Sequence, residues 1–448
     1  MMKIFLKYLF IFFFTQPIIS MGQLCLGPVT SYSNCNLPVS FEIVDINKDG
    51  VKDIAMAGAN LNGAILLGSG TGSFGVCNTF STLGWYPLGI TVGDFNNDSN
   101  QDLAVSSNSL IEIFIGNGTG IYSIPSNTIT FSPSKIVSVD VNSDLNLDLI
   151  VGCSGADSVA VFLGNGTGSF SSFNTYSLTS SVNDLQIIDF NNDGKVDLAT
   201  SNYWSKEVSI ILGNGTGSFG PCSTFSLTTY IRCLAISDLN NDGKKDIIAA
   251  GDGSSFIFFG NTTGNLSTPS TFTTPSTPYD ITSGNFDFDG NNDIAIPDYS
   301  GSIKVLLGTG TGNFAGVNSY AITVGNPWSI SSGDINGDSK IDLVGGCDNT
   351  FQNLFVLLNC NTIGIEEKVN SDIFTLYPNP NTGILYFSLE NIDLIMSQVI
   401  ISNCLGQKVF ESEYKTELNI SSLPNGIYIL KLENSQGQIA AKRLVVSK

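Results

Sequence analysis

The sequence predicts an all-β chain: a seven-bladed β-propeller, closed by its own N-terminal strand, followed by a small C-terminal β-sandwich. Two observations predict the propeller. The pattern Asp-x-Asn-x-Asp-x-x-x-Asp, with its first Asp and Asn exchanged in the sixth copy, occurs seven times, with successive starts 49, 46, 49, 49, 47 and 49 residues apart. Within each period, short apolar or Thr-rich runs alternate with Gly and Asn turns, four to a period, which is the composition of a propeller blade. No helical periodicity competes with this pattern. The sandwich is predicted by a change of composition near residue 361, where the acidic loops stop and Glu366, Glu367 and Lys368 follow.

In chain order, Lys3 and Lys7 precede an apolar run from Tyr8 to Phe14, with small residues near Ser20 and Gly22. This reads as a signal peptide over 1–22. Gln16 and Pro17 stop the run well short of the ~20 residues a membrane span needs. No other stretch is apolar enough, so an exported chain without a transmembrane span is expected.

The propeller is assigned to 23–360. Each acidic loop leads into a strand such as Ile54–Ala57, then a second strand ending in a Gly-rich turn. That turn reads LGSGTG at Leu67, LGNGTG at Leu163 and Leu212, and LGTGTG at Leu307. The seventh unit stops at Cys360 without its last strand. Gly27–Tyr32 resembles Gly316–Tyr320, so the N-terminal strand is expected to complete the seventh blade and remove its open edge. In that register Cys25 and Cys360 meet at one hairpin tip, and a disulfide between them is expected. The nine cysteines otherwise show irregular spacing and no CxxC pair, so neither a disulfide scaffold nor a thiolate zinc site is signalled.

Positions 1, 3, 5 and 9 of each loop gather side-chain oxygens. The candidate ligands are Asp45, Asn47, Asp49 and Asp53; Asp94, Asn96, Asp98 and Asp102; Asp140, Asn142, Asp144 and Asp148; and Asp189, Asn191, Asp193 and Asp197. The remaining loops supply Asp238, Asn240, Asp242 and Asp246; Asn285, Asp287, Asp289 and Asp293; and Asp334, Asn336, Asp338 and Asp342. Hard oxygen ligands select Ca2+, and up to seven structural ions are expected. Of 39 acidic residues, 21 sit at these positions, so without cations the loops concentrate much of the net charge of -20. Solvated Asp/Asn turns explain a single copy well, but not seven in fixed register. Position 12 lies inside a strand, which excludes an EF-hand. Gly50, Gly194, Gly243 and Gly290 suit the sharp turn at position 6; Ser99, Leu145 and Ser339 replace it elsewhere, and weaker binding is expected there.

Composition excludes much else. With no histidine, Ser-His-Asp and Cys-His nucleophiles and His-ligated zinc are absent. With 19 Lys and Arg in total there is no basic stripe for nucleic acid. Nine propeller acids lie outside the loops: Glu42, Glu112, Asp157, Asp184, Glu207, Asp252, Asp280, Asp298 and Asp348. No pair stands out by spacing, and no catalytic residue is assigned; carboxylate glycoside chemistry is the alternative. On the face opposite the acidic loops, Trp85, Tyr86, Tyr203, Trp204, Tyr230, Tyr279, Tyr299 and Trp328 are candidate ligand-binding residues, suited to stacking on sugars or anchoring a protein. Packing between blades is the competing explanation for any one of them.

The loop, strand and Gly-rich turn resemble the FG-GAP or VCBS repeat of integrin-alpha propellers across roughly 23–360. The resemblance implies seven blades, calcium on one face and a partner, glycan or protein, on the other. After a linker at 361–373, residues 374–448 carry Leu376-Tyr377-Pro378-Asn379-Pro380, Leu405-Gly406-Gln407-Lys408-Val409 and Leu423-Pro424-Asn425-Gly426-Ile427-Tyr428. Physically these mark about seven short strands with Pro/Asn/Gly turns. They resemble the type IX secretion C-terminal sorting domain, which implies the type IX machinery as a partner and delivery to the outer surface of a Gram-negative cell.

Overall fold

The computed structural model describes residues 24–448 except 34, 36–37, 59–61, 123–124, 126, 131, 154, 172–173, 275–276, 349–352, 361–373, 390–395, 404–407 and 435–438. The expected signal peptide, the linker and Cys404 lie outside the described residues. Two compact units divide the chain, Met1–Asn361 and Thr362–Lys448.

In the first unit the described residues form seven four-stranded sheets, every pairing antiparallel. Blades 1 to 6 each use four consecutive strands. Blade 1, for example, runs Pro38–Val44, Asp53–Gly58, Asn62–Leu66 and Asn78–Ser81. Blade 7 takes Asn326–Gly333, Asp342–Asp348 and Leu354–Leu357, and its fourth strand is Thr30–Tyr32 from the other end of the chain. The expected closure is therefore present, and so is the Cys25–Cys360 disulfide. A second disulfide, Cys35–Cys77, joins the segment after the closing strand to blade 1; spacing gave no hint of it. Cys153, Cys222, Cys233 and Cys347 are free.

The burial of the strands explains their composition. Second strands start at the last aspartate of the acidic loop and are buried along their length, as in Asp53–Gly58, Asp102–Ser107 and Asp148–Cys153. With a neighbouring blade on each side, such a strand reads as a continuous small-apolar run rather than an alternation. Fourth strands such as Asn174–Ser177 are short, exposed and hydroxyl-rich, which suits an outer edge.

The core lies in the seams between blades. Ala55, Ile65 and Phe80 of blade 1 pack on Leu103, Val105 and Phe114 of blade 2. Ile54 and Met56 pack in the opposite seam on Val344 and Val356 of blade 7. The other five seams hold equivalent clusters. First strands neighbour one another around the ring, from blade 1 through blade 7 and back to blade 1. They are the innermost strands and line a central channel.

The second unit has the expected seven strands in two sheets, one of three strands and one of four. Leu385, Phe387, Val399, Ile401, Leu418, Leu430, Leu432 and Leu444 form its core. Among the described residues no helix is long and apolar enough to cross a membrane.

Candidate functional site

Each acidic loop joins the first strand of its blade to the second, so all seven loops lie at one end of the channel. Two positions per loop are left-handed. Position 6 has φ between 65° and 92° throughout: Gly50, Ser99, Leu145, Gly194, Gly243, Gly290 and Ser339. Position 4 is left-handed too, at Lys48, Asn97, Ser143, Asn192, Asn241, Phe288 and Gly337. Loops lacking the position-6 glycine thus keep the same backbone, against a cost of about 1–2 kcal/mol for a side chain in this region.

The loop aspartates serve the backbone first. In loop 4, Asp189 Oδ2 accepts Gly194 N–H at 2.9 Å, Asn191 Oδ1 accepts Asp193 N–H at 3.1 Å, and Asp193 Oδ1 accepts Lys195 N–H at 3.0 Å. The Asn146 amide holds the Asp144 carboxyl below its ordinary value, and the Lys244 ammonium does the same for Asp242.

Position 9 is buried in every loop and accepts two amides. Asp197 takes Phe190 N–H at 3.0 Å and Gly213 N–H at 2.8 Å. Asp53, Asp102, Asp148, Asp246 and Asp293 each make the equivalent pair. Asp342 pairs with Ile335 and Asn359 N–H. This carboxylate therefore clamps the acidic loop to the Gly-rich turn of its own blade. Burial pushes Asp102, Asp246 and Asp342 up to about 6, and Asp293 to about 7.

Neighbouring loops are also linked. Position 4 reaches position 7 of the next loop through Lys48–Asn100, Asn97–Asn146 and Asn241–Asn291, at 2.8–2.9 Å.

No three acidic or thiol side chains converge in ion-holding geometry among the described residues. Three buried oxygens of the acidic loops nevertheless lack any donor: Asp45 Oδ1, Asn285 Oδ1 and Asp287 Oδ2. They occupy positions 1 and 3 of loops 1 and 6, and a hard cation is the partner such acceptors fit. In loops 4, 5 and 7 the position-5 carboxylate instead faces the lysine at position 7, with Lys195–Asp193 at 3.2 Å, Lys244–Asp242 at 3.0 Å and Lys340–Asp338 at 2.9 Å.

The other end of the channel is built by the starts of the first strands. The residues five positions before each acidic loop are Ser40, Gly89, Lys135, Asp184, Cys233, Asp280 and Ser329, one per blade. Those six positions before are Val39, Leu88, Ser134, Asn183, Arg232, Tyr279 and Trp328. The second set and most of the first line a cavity of about 410 Å³ at the channel mouth, together with Trp204. β-Bulges fall at this level in blades 1, 3, 5 and 7, between Pro38/Ser40, Pro133/Ile136, Ile231/Cys233 and Pro327/Ser329. Bulges re-aim side chains, and here they lie at Ser134, Lys135, Arg232 and Trp328.

Two of the nine stray acids meet at this mouth. Asp184 Oδ2 accepts Leu234 N–H at 2.8 Å, and Asp280 Oδ2 accepts Ile330 N–H at 2.9 Å, each reaching into the next blade. Lys135 Nζ lies 3.7 Å from Asp184 Oδ1, and the charges of Asp184, Asp280 and Glu42 hold its ammonium above the ordinary lysine value despite burial. Burial raises Glu42 to about 7 and Asp280 to about 6. Spacing from residue to residue concealed this group; spacing measured from each acidic loop reveals it.

Six of the eight candidate aromatics form one arc over blades 4 to 7. Tyr203 stacks on Tyr230 at 4.8 Å and meets Trp204 edge-on at 5.1 Å. Tyr279 lies 5.6 Å from Tyr299 and 6.4 Å from Trp328. The Arg232 guanidinium sits between the Tyr203 and Tyr279 rings, at 5.0 and 5.1 Å, and pairs with Asp252. Trp204 stays 73% exposed, whereas Trp328 is half-buried and donates Nε1–H to Pro38 O at 2.8 Å. Trp85 and Tyr86 are exposed but do not line the mouth.

The FG-GAP-like repeat family matches residues 45–105, 140–200, 238–296 and 285–345, spans that together contain all seven acidic loops and just over half of the chain. The secretion system C-terminal sorting domain matches 375–447. No curated protein sequence matches significantly. Among solved structures, BBS1N, crystallised in complex with ARL6DN, is 11% identical with a TM-score of 0.55, covering 77% of this chain and 99% of its own. Saccharomyces cerevisiae Sqt1 is 10% identical with a TM-score of 0.50, covering 93% of this chain and 98% of its own. At these identities the likeness shows the fold alone. The sorting domain indicates a secreted or cell-surface protein that engages the secretion machinery. With its acidic loops inside the matched repeats and its two-sheet unit under the sorting domain, the chain belongs to the FG-GAP-like repeat family of β-propellers and carries a type IX secretion C-terminal sorting domain.

Proposed function

We propose that the protein is a binding or adhesion module on the outer surface of a Gram-negative cell. Its acidic loops hold Ca2+, and the opposite face takes an extracellular glycan or protein. The observation that carries this reading is the aromatic arc at the channel mouth, where Trp204 and Tyr279 are exposed beside polar groups. Such rings supply binding area at low entropic cost. A binding role is favoured over a catalytic one because Asp184 and Asp280 are committed to holding the backbone, each oxygen accepting one amide, and the charged group beside them is the Lys135 ammonium rather than a nucleophile. Calcium would lock the loops. Loops 1 and 6, with orphaned oxygens, are the readiest sites, while loops 4, 5 and 7 must first displace a lysine.

The test is a screen of the full chain against glycans and extracellular-matrix proteins, in calcium and in chelator. Retention that falls about tenfold or more in the Trp204→Ala/Trp328→Ala double variant is expected. Equal retention by a folded double variant would refute the assigned face.

A further inference from the structure

The channel mouth holds more than an aromatic rim, and its charges select among ligands. Resting on the binding reading above, we propose that the mouth is an end-on pocket for a neutral saccharide unit, with Lys135 as its central hydrogen-bond donor. A cavity of about 410 Å³ suits one small ring system rather than a protein loop. Its floor is polar. Lys135 and Asp280 line both the mouth and a second cavity of about 330 Å³ deeper in the channel, so they stand between the two. The wall and rim are aromatic, from Trp204, Tyr279 and Trp328.

The charges argue against ionic ligands of either sign. Asp184 and Asp280 are fixed by the backbone of the next blade and cannot swing away from an anion. Lys135 and Arg232 meet a cation in the same way, and Arg232 already occupies the space between Tyr203 and Tyr279 that an ammonium ligand would seek. A polyol satisfies both sets at once. Its hydroxyls accept from Lys135, whose nearest carboxylate lies at 3.7 Å, and donate to carboxylate lone pairs left by the amides. Its apolar ring face stacks on Trp204. The bulges that carry Lys135, Arg232 and Trp328 give this end of the first strands a geometry the rest of the ring does not need.

The experiment measures binding of three fluorescent oligosaccharide probes to the full chain: neutral hexose oligomers, sialylated oligomers and chitosan oligomers. Preference for a neutral probe is expected, with affinity falling about tenfold or more in both Trp204→Ala and Lys135→Met. Lys135→Met leaves Asp184, Asp280 and Glu42 without their shared cation, so its folding is checked by thermal unfolding; Trp204→Ala alters an exposed side chain and serves if that variant fails. A preference for either charged probe overturns the proposal. So does neutral-probe binding that survives Trp204→Ala. If no saccharide binds but a matrix protein does, and Trp204→Ala weakens it, the saccharide pocket is refuted while the binding face stands.

Discussion

At the residue scale, the twice-bonded aspartate at position 9 is the unit on which each blade turns. Replacing Asp197 with Asn sets an amide N–H₂ against one of two backbone donors and leaves a buried N–H without an acceptor. A loss of about 1–3 kcal/mol is expected, read by urea unfolding in chelator so that calcium plays no part. Leu145 gives the opposite prediction. It is 88% exposed with φ at 70°, so Leu145→Gly should stabilise by about 0.5–1 kcal/mol after the entropic cost of glycine. The turn demand at position 6 was legible because glycine recurs there. Position 4 was not, since Lys, Asn, Ser, Phe and Gly all occupy it; the loop's hydrogen bonds impose the conformation whatever the side chain. The channel carboxyls carry a pH signature. Burial raises Glu42 to about 7, with Lys135 opposing, and Asp280 to about 6, with Lys135 opposing and Asp184 adding to the rise. The folded state therefore binds more protons than the unfolded one between about pH 4.5 and 7, and these groups make the fold less stable as pH rises through that window. Glu42→Gln should flatten its share of the slope relative to wild type; an unchanged slope would show that Glu42 ionises freely.

At the scale of elements, the short closing strand Thr30–Tyr32 is held on both sides by covalent links, Cys25–Cys360 to blade 7 and Cys35–Cys77 to blade 1. Tyr32 adds a hydroxyl bond to Phe74 N–H at 2.9 Å. The two bridges close sequence separations of 335 and 42 residues, for which chain entropy gives roughly 6 and 4 kcal/mol. Cys25→Ser/Cys360→Ser should therefore lower stability more than Cys35→Ser/Cys77→Ser, measured by denaturant midpoints under oxidising conditions. The first bridge was legible because repeat register brought two cysteines to one hairpin tip. The second joins Cys77, which shares its repeat position with the free Cys222, to Cys35 in the segment before the first repeat, where register says nothing. The seven strands and two sheets of the C-terminal unit were read from turn residues alone, because Pro, Asn and Gly punctuate a small sandwich at every corner.

At the scale of the whole molecule, the repeat that made the ring legible also hid its channel mouth. A blade-by-blade reading shows what the units share, but Lys135, Asp184 and Asp280 differ where the units should agree. They meet only because a ring brings separate blades to a common centre. On the far face, three pairs of neighbouring loops are coupled by direct side-chain bonds. Calcium at ten times its Kd should then add about 1.4 kcal/mol of stability per occupied loop, and a chelator should lower Tm accordingly; no calcium dependence would leave the loops as hydrogen-bonded turns. The measurement that tests the central claim most directly is hydrogen–deuterium exchange of the full chain with and without a ligand retained in the screen. The account predicts new protection at the starts of the first strands and in the arc, around Lys135, Asp184, Trp204, Arg232, Asp280 and Trp328. Protection confined to the acidic loops or to the outer strands would contradict it.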